Sequence, residues 1–235
     1  MDEQGVRINK YLSEAGVCSR READRQIEAG AVTVDGVCAR PGTRVLPGQT
    51  VCFQGRSVSQ EEERILLAFH KPAGIVCTAE KREKNNVIDY IHYPKRIYPV
   101  GRLDKDSEGL LLLTNDGALT HRLLHPSHEV SKEYRVTVSG PVEHAAERLS
   151  RIRDVVGLPI RPAEVRELSR KGNRAELSVI IHEGRNRQIR RMCAQCGLEV
   201  LRLQRVREHC LELGALPLGQ WRYLTAEEIA GLKEE

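Results

Sequence analysis

Residues 101–117 read GRLDKDSEGLLLLTNDG, and their reading decides the fold because carboxylates stand directly beside an unbroken apolar run. Asp104, Asp106 and Glu108 crowd a segment opened by Gly101 and Arg102, and Gly109 alone separates them from Leu110, Leu111, Leu112 and Leu113. A four-leucine run closed by the turn former Asn115-Asp116-Gly117 suits a strand buried on both faces, although a short apolar run is also compatible with a buried helix. As a strand it would anchor an acid-bearing loop at the entry to a central sheet. Loops held by rigid scaffolds are where reactive groups tend to be placed.

Several chemistries compete for these acids. Asp104-x-Asp106-x-Glu108-Gly109 copies the first half of a calcium loop, with alternating oxygen ligands and a glycine at the sharp turn. The second half fails: position nine would be Leu112, position twelve would be Asn115 in place of a bidentate Glu, and no amphipathic helix precedes it. A carboxylate pair could also hydrolyse a glycoside, one acid protonated and the other ionised. The plainest alternative is three solvated loop charges.

Composition narrows the field. A chain of 235 residues, 40% hydrophobic and 30% charged, can bury a real core and is long enough for one domain or two. No stretch approaches the roughly 20 apolar residues of a membrane span, and MDEQGVRINK lacks the apolar segment of a signal peptide, so a cytoplasmic protein with no membrane partner is expected. Seven cysteines are an odd number spread thinly, which argues for reduced thiols over a secreted disulfide framework. Cys193-x-x-Cys196 has no second pair or nearby histidines at finger spacing, so two semi-buried helix residues are expected there and no metal. The net charge of +4 decides little; its distribution decides more. Residues 185–207 hold Arg185, Arg187, Arg190, Arg191, Arg202, Arg205 and Arg207 against Glu199 as the one acid before Arg207. Arginine grips phosphate bidentately and stacks on bases, so this cluster points to nucleic acid or another polyanion. An aromatic content of 4% argues against a stacking-platform RNA binder.

Along the chain, residues 1–60 read as a small module. Ile8, Tyr11, Leu12 and Ala15 lie at helical spacing, Gly16 ends that helix, and Ser19-Arg20-Arg21-Glu22 matches a capping box opening a second helix toward Gly30. Val32-Thr33-Val34 and Val37-Cys38-Ala39 flank Asp35-Gly36, a strong hairpin signal, and short strands follow near Val45 and Val51-Cys52-Phe53. Lys10, Arg20, Arg21 and Arg25 surround the helix pair, and the start of the second helix, where Ser19 caps and Arg20 and Arg21 project, offers backbone N–H groups to phosphate. Glu22, Asp24 and Glu28 share that helix, so surface solubility is the alternative. The polar residues 55–64 read as linker. A larger α+β unit, residues 64–235, begins with a buried strand at Ile65–Phe69, a turn at His70–Gly74 and a partner strand at Ile75-Val76-Cys77. Helices are expected over 118–124, 142–151 and about 186–196, strands over 134–138, 175–181 and 200–203, and a last helix capped by Thr225 with Glu228.

Two resemblances sharpen this. RINKYLSEAGVCSRREADRQIEAGAVTVDGVCA resembles the small alpha-L RNA-binding domain of ribosomal proteins and RNA-modifying enzymes. HKPAGIVCT, YPVGRLDKDSEGLLLLTNDG, HPSHEVSKEYRVTV, EGRNRQIRRMC and PLGQWRYLT then resemble, in matching order, successive blocks of bacterial pseudouridine synthases of the RsuA/RluB/RluE/RluF group. NKYLSEAGVCSRREAD, NVIDYI, GRLDKDS and RRMC are most similar to its RluF branch, which acts on large-subunit ribosomal RNA. The resemblance implies an α+β chain: an alpha-L domain followed by a catalytic domain built on a mixed, mainly antiparallel sheet.

It also implies an activity: isomerisation of one uridine of ribosomal RNA, free or in an assembly intermediate, to pseudouridine by a monomer using no cofactor or metal. Asp104 matches the catalytic aspartate, acting as a base on the ribose 2′ proton or as a nucleophile. Asp106 and Glu108 do not match it, which removes the second member of a glycosidase pair. Arg190 matches the arginine that pairs with the catalytic acid; a buried carboxylate without such a partner would carry a penalty on the order of several kcal/mol. Tyr134 matches the tyrosine that stacks on the base, and Leu203 lies near the apolar position lining the uracil pocket. Arg102, Arg185, Arg187 and Arg191 are expected on the RNA backbone, as are Lys10, Ser19, Arg20 and Arg21. Arg187 stands where RluA-type relatives have histidine. Base flipping, at a cost of a few kcal/mol, is required. A non-catalytic RNA-binding assembly factor and an N-glycosylase are the alternatives.

Overall fold

The elements expected between residues 8 and 53 are all present. A computed structural model describes residues 5–59, 63–80, 82–125 and 130–232. Contacts divide it into two units, one built on Met1–Ile65 with Tyr93–Ile97 and Asn115–Gly117, the other on Leu66–His92, Tyr98–Thr114 and Ala118–Glu235. In the first, β1 (Val6–Arg7) leads into α1 (Ile8–Glu14), and α2 (Arg20–Glu28) starts where Ser19 Oγ accepts from the Glu22 amide at 3.2 Å. Next come β2 (Val32–Val34), β3 (Val37–Cys38), β4 (Arg44–Val45), β5 (Val51–Phe53) and β6 (Arg56–Ser57). Strands β3-β2-β5-β6 make an antiparallel sheet and β1 pairs with β4. Asp35 and Gly36 have φ of 50° and 81°, the two positive values that a type I′ hairpin turn needs. Ile8, Leu12, Ala23, Ile27, Val32 and Val51 close the core beneath. Because β6 completes this sheet, residues 56 and 57 are not linker; residues 60–62 lie outside the described residues.

The second unit contains β7 (Leu66–Lys71), α3 (Val87–Ile91), β8 (Tyr98–Val100), β9 (Glu108–Thr114), α4 (Gly117–Leu124), β10 (Lys132–Ser139), α5 (Ala145–Ser150), β11 (Asp154–Val155) and β12 (Leu158–Pro159). It continues with β13 (Glu164–Lys171), β14 (Arg174–Ile181), α6 (Gln188–Gln195), β15 (Glu199–Glu208), β16 (Leu211–Glu212), β17 (Trp221–Tyr223) and α7 (Ala226–Gly231). The large sheet runs β13-β14-β10-β15-β9-β7-β17, with β8 on β9 and β16 on β15. Its pairings are antiparallel except β15 with β9, which run parallel. The architecture is therefore α+β with a mixed, mainly antiparallel sheet.

The leucine run is indeed a doubly buried strand. Leu110 and Leu112 join Leu66, Ala68, Val100 and Leu119 in one cluster, and Leu111 and Leu113, on the opposite face, are fully buried as well. Starting a strand at Glu108 removes the calcium loop, since its positions seven and nine, Leu110 and Leu112, fall inside β9. One expectation fails, and one strand lies where none was expected. Ile75–Cys77 is not the partner of the first strand: β7 lies between β9 and β17, and Val76 makes only an isolated bridge to Asn86. Residues 164–171 form β13, whose EVRELSRK sequence lacks an apolar alternation because it is a charged edge strand, a composition that discourages further strand pairing.

The parallel junction explains Gly109. It pairs with Arg205, has φ of 114°, and a Cβ built on it would lie 2.3 Å from the Arg205 carbonyl oxygen. Gly109→Ala should therefore break the β9–β15 pairing and cost on the order of 3 kcal/mol or more. A thermal melt checks this; an unshifted melting temperature would contradict it.

Candidate active site

The acidic loop, residues 101–107, connects β8 to β9, and the HKPAGIVC segment holds it from below. Lys71 at the end of β7 is fully buried, and its Nζ donates to the carbonyls of Ser107 at 2.7 Å, Pro72 at 2.9 Å and Asp104 at 3.3 Å. Burial pushes the Lys71 ammonium below its ordinary value, opposed by the fields of Cys77, Asp106, Asp104 and Glu108. The Gly74 amide donates to Lys105 O at 2.6 Å, the Leu103 amide to Cys77 Sγ at 3.3 Å, and the Ser107 amide closes a turn on Asp104 O at 3.1 Å. The backbone of the loop is thus fixed, and its carboxylates are left to face outward.

Asp104 faces a cavity of about 260 Å³ lined also by Arg102, Tyr134, Arg185, Arg187 and Leu203, with Leu103, Ser107, Ile181, Gln188 and Ile189 among the remaining walls. This falls below the roughly 300–1,000 Å³ of pockets for drug-sized ligands and suits a single nucleobase. Asp104 is half-buried at its edge, its side chain 29% exposed, and the guanidinium 3.7 Å from it belongs to Arg187. Arg187 opens α6 with φ of 52°, a left-handed conformation that costs a non-glycine residue roughly 1–2 kcal/mol. Its fork grips Asp106 bidentately, 3.0 Å on each arm. That hydrogen bonding holds the Asp106 carboxyl below the usual carboxylate range and raises Arg187 in return.

Arg190 is placed differently from its expected pairing. It donates to the Asp106 carbonyl at 2.9 Å and to Ser107 Oγ at 3.4 Å, lies 3.5 Å from the Asp106 carboxylate, and is not among the residues described as lining the cavity. It makes no described contact with Asp104, and because Asp104 is partly exposed, the fully buried ion pair anticipated from the sequence is not what the loop contains.

Tyr134 lies on β10 paired with Arg205 of β15. Burial pushes the phenol above its ordinary value, partly offset by Arg205, so at neutral pH it is a protonated donor. Arg205 is itself buried. It donates Nε to Leu110 O at 2.8 Å and pairs with Glu208 at 3.0 Å. The arginine cluster read from the sequence is therefore divided. Arg205 is internal, Arg202 bonds Glu108 at 2.7 Å and Arg207 reaches Glu133 at 3.3 Å, while Arg102, Arg185 and Arg187 face the cavity and Arg191 bonds Asn186 at 2.8 Å nearby. In the first unit Lys10 lies 3.6 Å from Glu14, Ser19 is occupied as a cap, and Arg20 and Arg21 are exposed at the start of α2. Sequence reasoning gave no role to Lys71 or Ser107 and placed Arg205 with the polyanion-binding arginines. A lysine closing the wholly apolar-flanked strand LLAFHK was the available signal for the first, and strand alternation through Leu203 and Arg205 for the last.

Residues 65–195 match the family model described as RNA pseudouridylate synthase, and residues 6–51 match the S4 domain. The chain is 41% identical, over 99% of its length and 80% of the relative's, to the dual-specificity RNA pseudouridine synthase RluF of Escherichia coli K12. It is 37% identical, over 97% of its length and 95% of the relative's, to ribosomal large subunit pseudouridine synthase B of Bacillus subtilis. A solved pseudouridylate synthase superposes with a TM-score of 0.68 at 30% identity, covering 97% of this chain and all of that one. The chain belongs to the RNA pseudouridylate synthase family and is a pseudouridine synthase carrying an S4 domain. Residues 126–129 of the HPSHEVSKEYRVTV block lie outside the described residues, and no described helix is long and apolar enough to cross a membrane.

Replacing Lys71 with methionine keeps the volume and removes the donor to three loop carbonyls. Stranding buried acceptors should cost on the order of 3 kcal/mol and loosen Asp104, so turnover should fall far more than RNA affinity does. Equal kcat in Lys71→Met and wild type would show that the brace is dispensable.

Proposed function

We propose that this chain converts a specific uridine of large-subunit ribosomal RNA, free or in an assembly intermediate, to pseudouridine, with Asp104 as the catalytic group. The observation that carries this reading is the one small cavity at which a half-buried carboxylate, a buried tyrosine, Leu203 and exposed arginines converge. The names of the Escherichia coli and Bacillus subtilis relatives support ribosomal RNA as substrate. The reaction belongs to the cytoplasm, where ribosomes are assembled, and the chemistry requires no metal or cofactor.

In this account the target base leaves its stack and enters the cavity, with Leu203 and Tyr134 against its faces and the sugar toward Asp104. Two roles are chemically open to the carboxylate. As a base it removes the ribose 2′ proton and expels uracil, leaving a glycal; as a nucleophile it forms an adduct at C1′. In both, the N1–C1′ bond breaks, the uracil turns, C5 bonds to C1′, and the C5 proton is lost while N1 ends protonated; in the glycal route the proton taken from C2′ returns to C2′ as C5 bonds to C1′. Arg187 lies 3.7 Å from Asp104 and leaves its carboxylate open to substrate, because the main grip of the guanidinium is on Asp106. Arg190 supports the same loop through the Asp106 carbonyl and Ser107, a positioning role. Arg102, Arg185 and Arg191 would hold neighbouring phosphates, and the S4 unit, through Lys10, Arg20 and Arg21 with the start of α2 at Ser19, would raise local RNA concentration. Such contacts make binding fall with salt. A purely RNA-binding assembly factor would not need Asp104, Tyr134 and Leu203 around one cavity.

Carbodiimide mapping of pseudouridines in ribosomal RNA from wild-type cells and cells lacking the gene tests this. One large-subunit position should disappear in the deletion and return when the gene is restored; an unchanged pseudouridine map would overturn the substrate.

A further inference from the structure

The hairpin of β11 and β12 turns on Val156-Gly157, whose φ values are 57° and 72°. A two-residue turn of this kind is ordinarily made with Asn, Asp or Gly, and a β-branched residue is a poor fit to the left-handed region. Val156 is the β-branched case among the described non-glycine residues with positive φ, the others being Asp35, Gln54, His92, His144, Arg187 and His209. Packing does not compensate. Val156 is 66% exposed and Leu158 is 51% exposed, while the inner face of the hairpin is already closed by Val155 and Ile160. Asp154 Oδ1 accepts from the Gly157 amide at 2.9 Å, so the turn is held regardless of which side chain stands at 156. Backbone strain and exposed apolar surface therefore coincide at one tip, and neither serves the core. Strain of this sort concentrates at functional sites.

The tip is attached to the rim of the cavity. Arg185, a cavity wall, donates to the Pro159 carbonyl at 2.6 Å, and Gln195 of α6 donates to the Asp154 carbonyl at 3.1 Å. The Arg161 amide donates to Glu183 at 3.0 Å, and the same carboxylate accepts from the cavity residue Gln188 at 3.0 Å. The hairpin itself is flanked by the exposed Arg151, Arg153 and Arg161, with the exposed Asp154 beside them and Arg151 reaching Glu147 at 2.5 Å. An apolar point inside a basic collar is complementary to nucleic acid: arginines meet phosphates, and aliphatic side chains enter between bases.

We propose that Val156 and Leu158 form an apolar wedge that enters the base stack beside the target uridine and holds open the gap created when that uridine flips into the cavity. The wedge rests on the RNA-modifying function proposed above. It adds no bond-making step; it acts on the flipping equilibrium that precedes the chemistry.

Val156→Asn tests it, because asparagine suits the left-handed turn and removes the wedge at once. The variant should melt higher than wild type and bind a folded large-subunit rRNA transcript within about twofold, yet form pseudouridine under single-turnover conditions about tenfold more slowly. On the same transcript altered so that the target uridine is unpaired and its neighbour unstacked, the rate should return to within about threefold of wild type. Leu158→Ser, which leaves the turn dihedrals alone, should show the same split. Wild-type rates for both variants on the folded transcript would overturn the wedge, as would an equal loss on both transcripts. A loss seen only on protein-bound ribosomal particles would overturn it too, assigning the tip to a protein partner. Absence of pseudouridine with the wild-type chain would instead overturn the function on which the wedge rests.

Discussion

The close approach of Gly109 to the backbone of Arg205 is the constraint on which the catalytic unit depends. It belongs to the one parallel pairing among the described strands of the large sheet, and it leaves no room for a side chain. Through it, β9, which carries the acidic loop on its N-terminal end, is brought beside β15, which pairs in turn with β10 and Tyr134. Arg205 then joins all three strands, with its Nε on Leu110 of β9, its backbone paired with Tyr134 of β10 and its ion pair to Glu208 of its own strand. A charge this deep is tolerable because it is paired and hydrogen-bonded, and removing any one partner would leave it uncompensated. The distance between Asp104 and Tyr134 is thus set by the sheet and not by flexible side chains.

The electrostatics of the loop follow from that frame. Lys71 holds the loop by backbone carbonyls from beneath, and Arg187 and Arg190 hold it through Asp106 and Ser107 from the side. Three cations therefore position the segment without any of them fully occupying the Asp104 carboxylate. An acid that must meet a sugar benefits from this arrangement, since a tight bidentate salt bridge would have to be broken first. Arg187 achieves its reach only by opening α6 in a left-handed conformation, so the local strain and the grip on Asp106 are one feature.

How much of this was legible in the sequence depended on whether the signal was local. The leucine strand, the Asp35-Gly36 turn, the Ser19 cap and the Thr225–Glu228 capping box were readable because each follows from a few adjacent residues, and the last is present with both reciprocal bonds. The pairing of β7 was misread because strand neighbours are set by long-range packing, and β13 was missed because an exposed edge strand shows no apolar period. At the site, convergence of Asp104, Tyr134, Leu203 and Arg187 on one cavity came from family blocks, not from spacing. The partner of each charge was invisible: seven arginines between 185 and 207 look alike in sequence, yet Arg205 is buried, Arg202 and Arg207 answer local acids, and Arg190 meets Asp106 where Asp104 was expected.

The central claim is that one carboxylate, placed by this sheet at the mouth of a base-sized cavity, carries the chemistry. Single-turnover conversion of large-subunit rRNA by Asp104→Asn, measured alongside its affinity for the same RNA, tests this most directly. The account predicts that product formation falls by at least about a thousandfold while the dissociation constant stays within about threefold of wild type. Turnover close to wild type in that variant would contradict it.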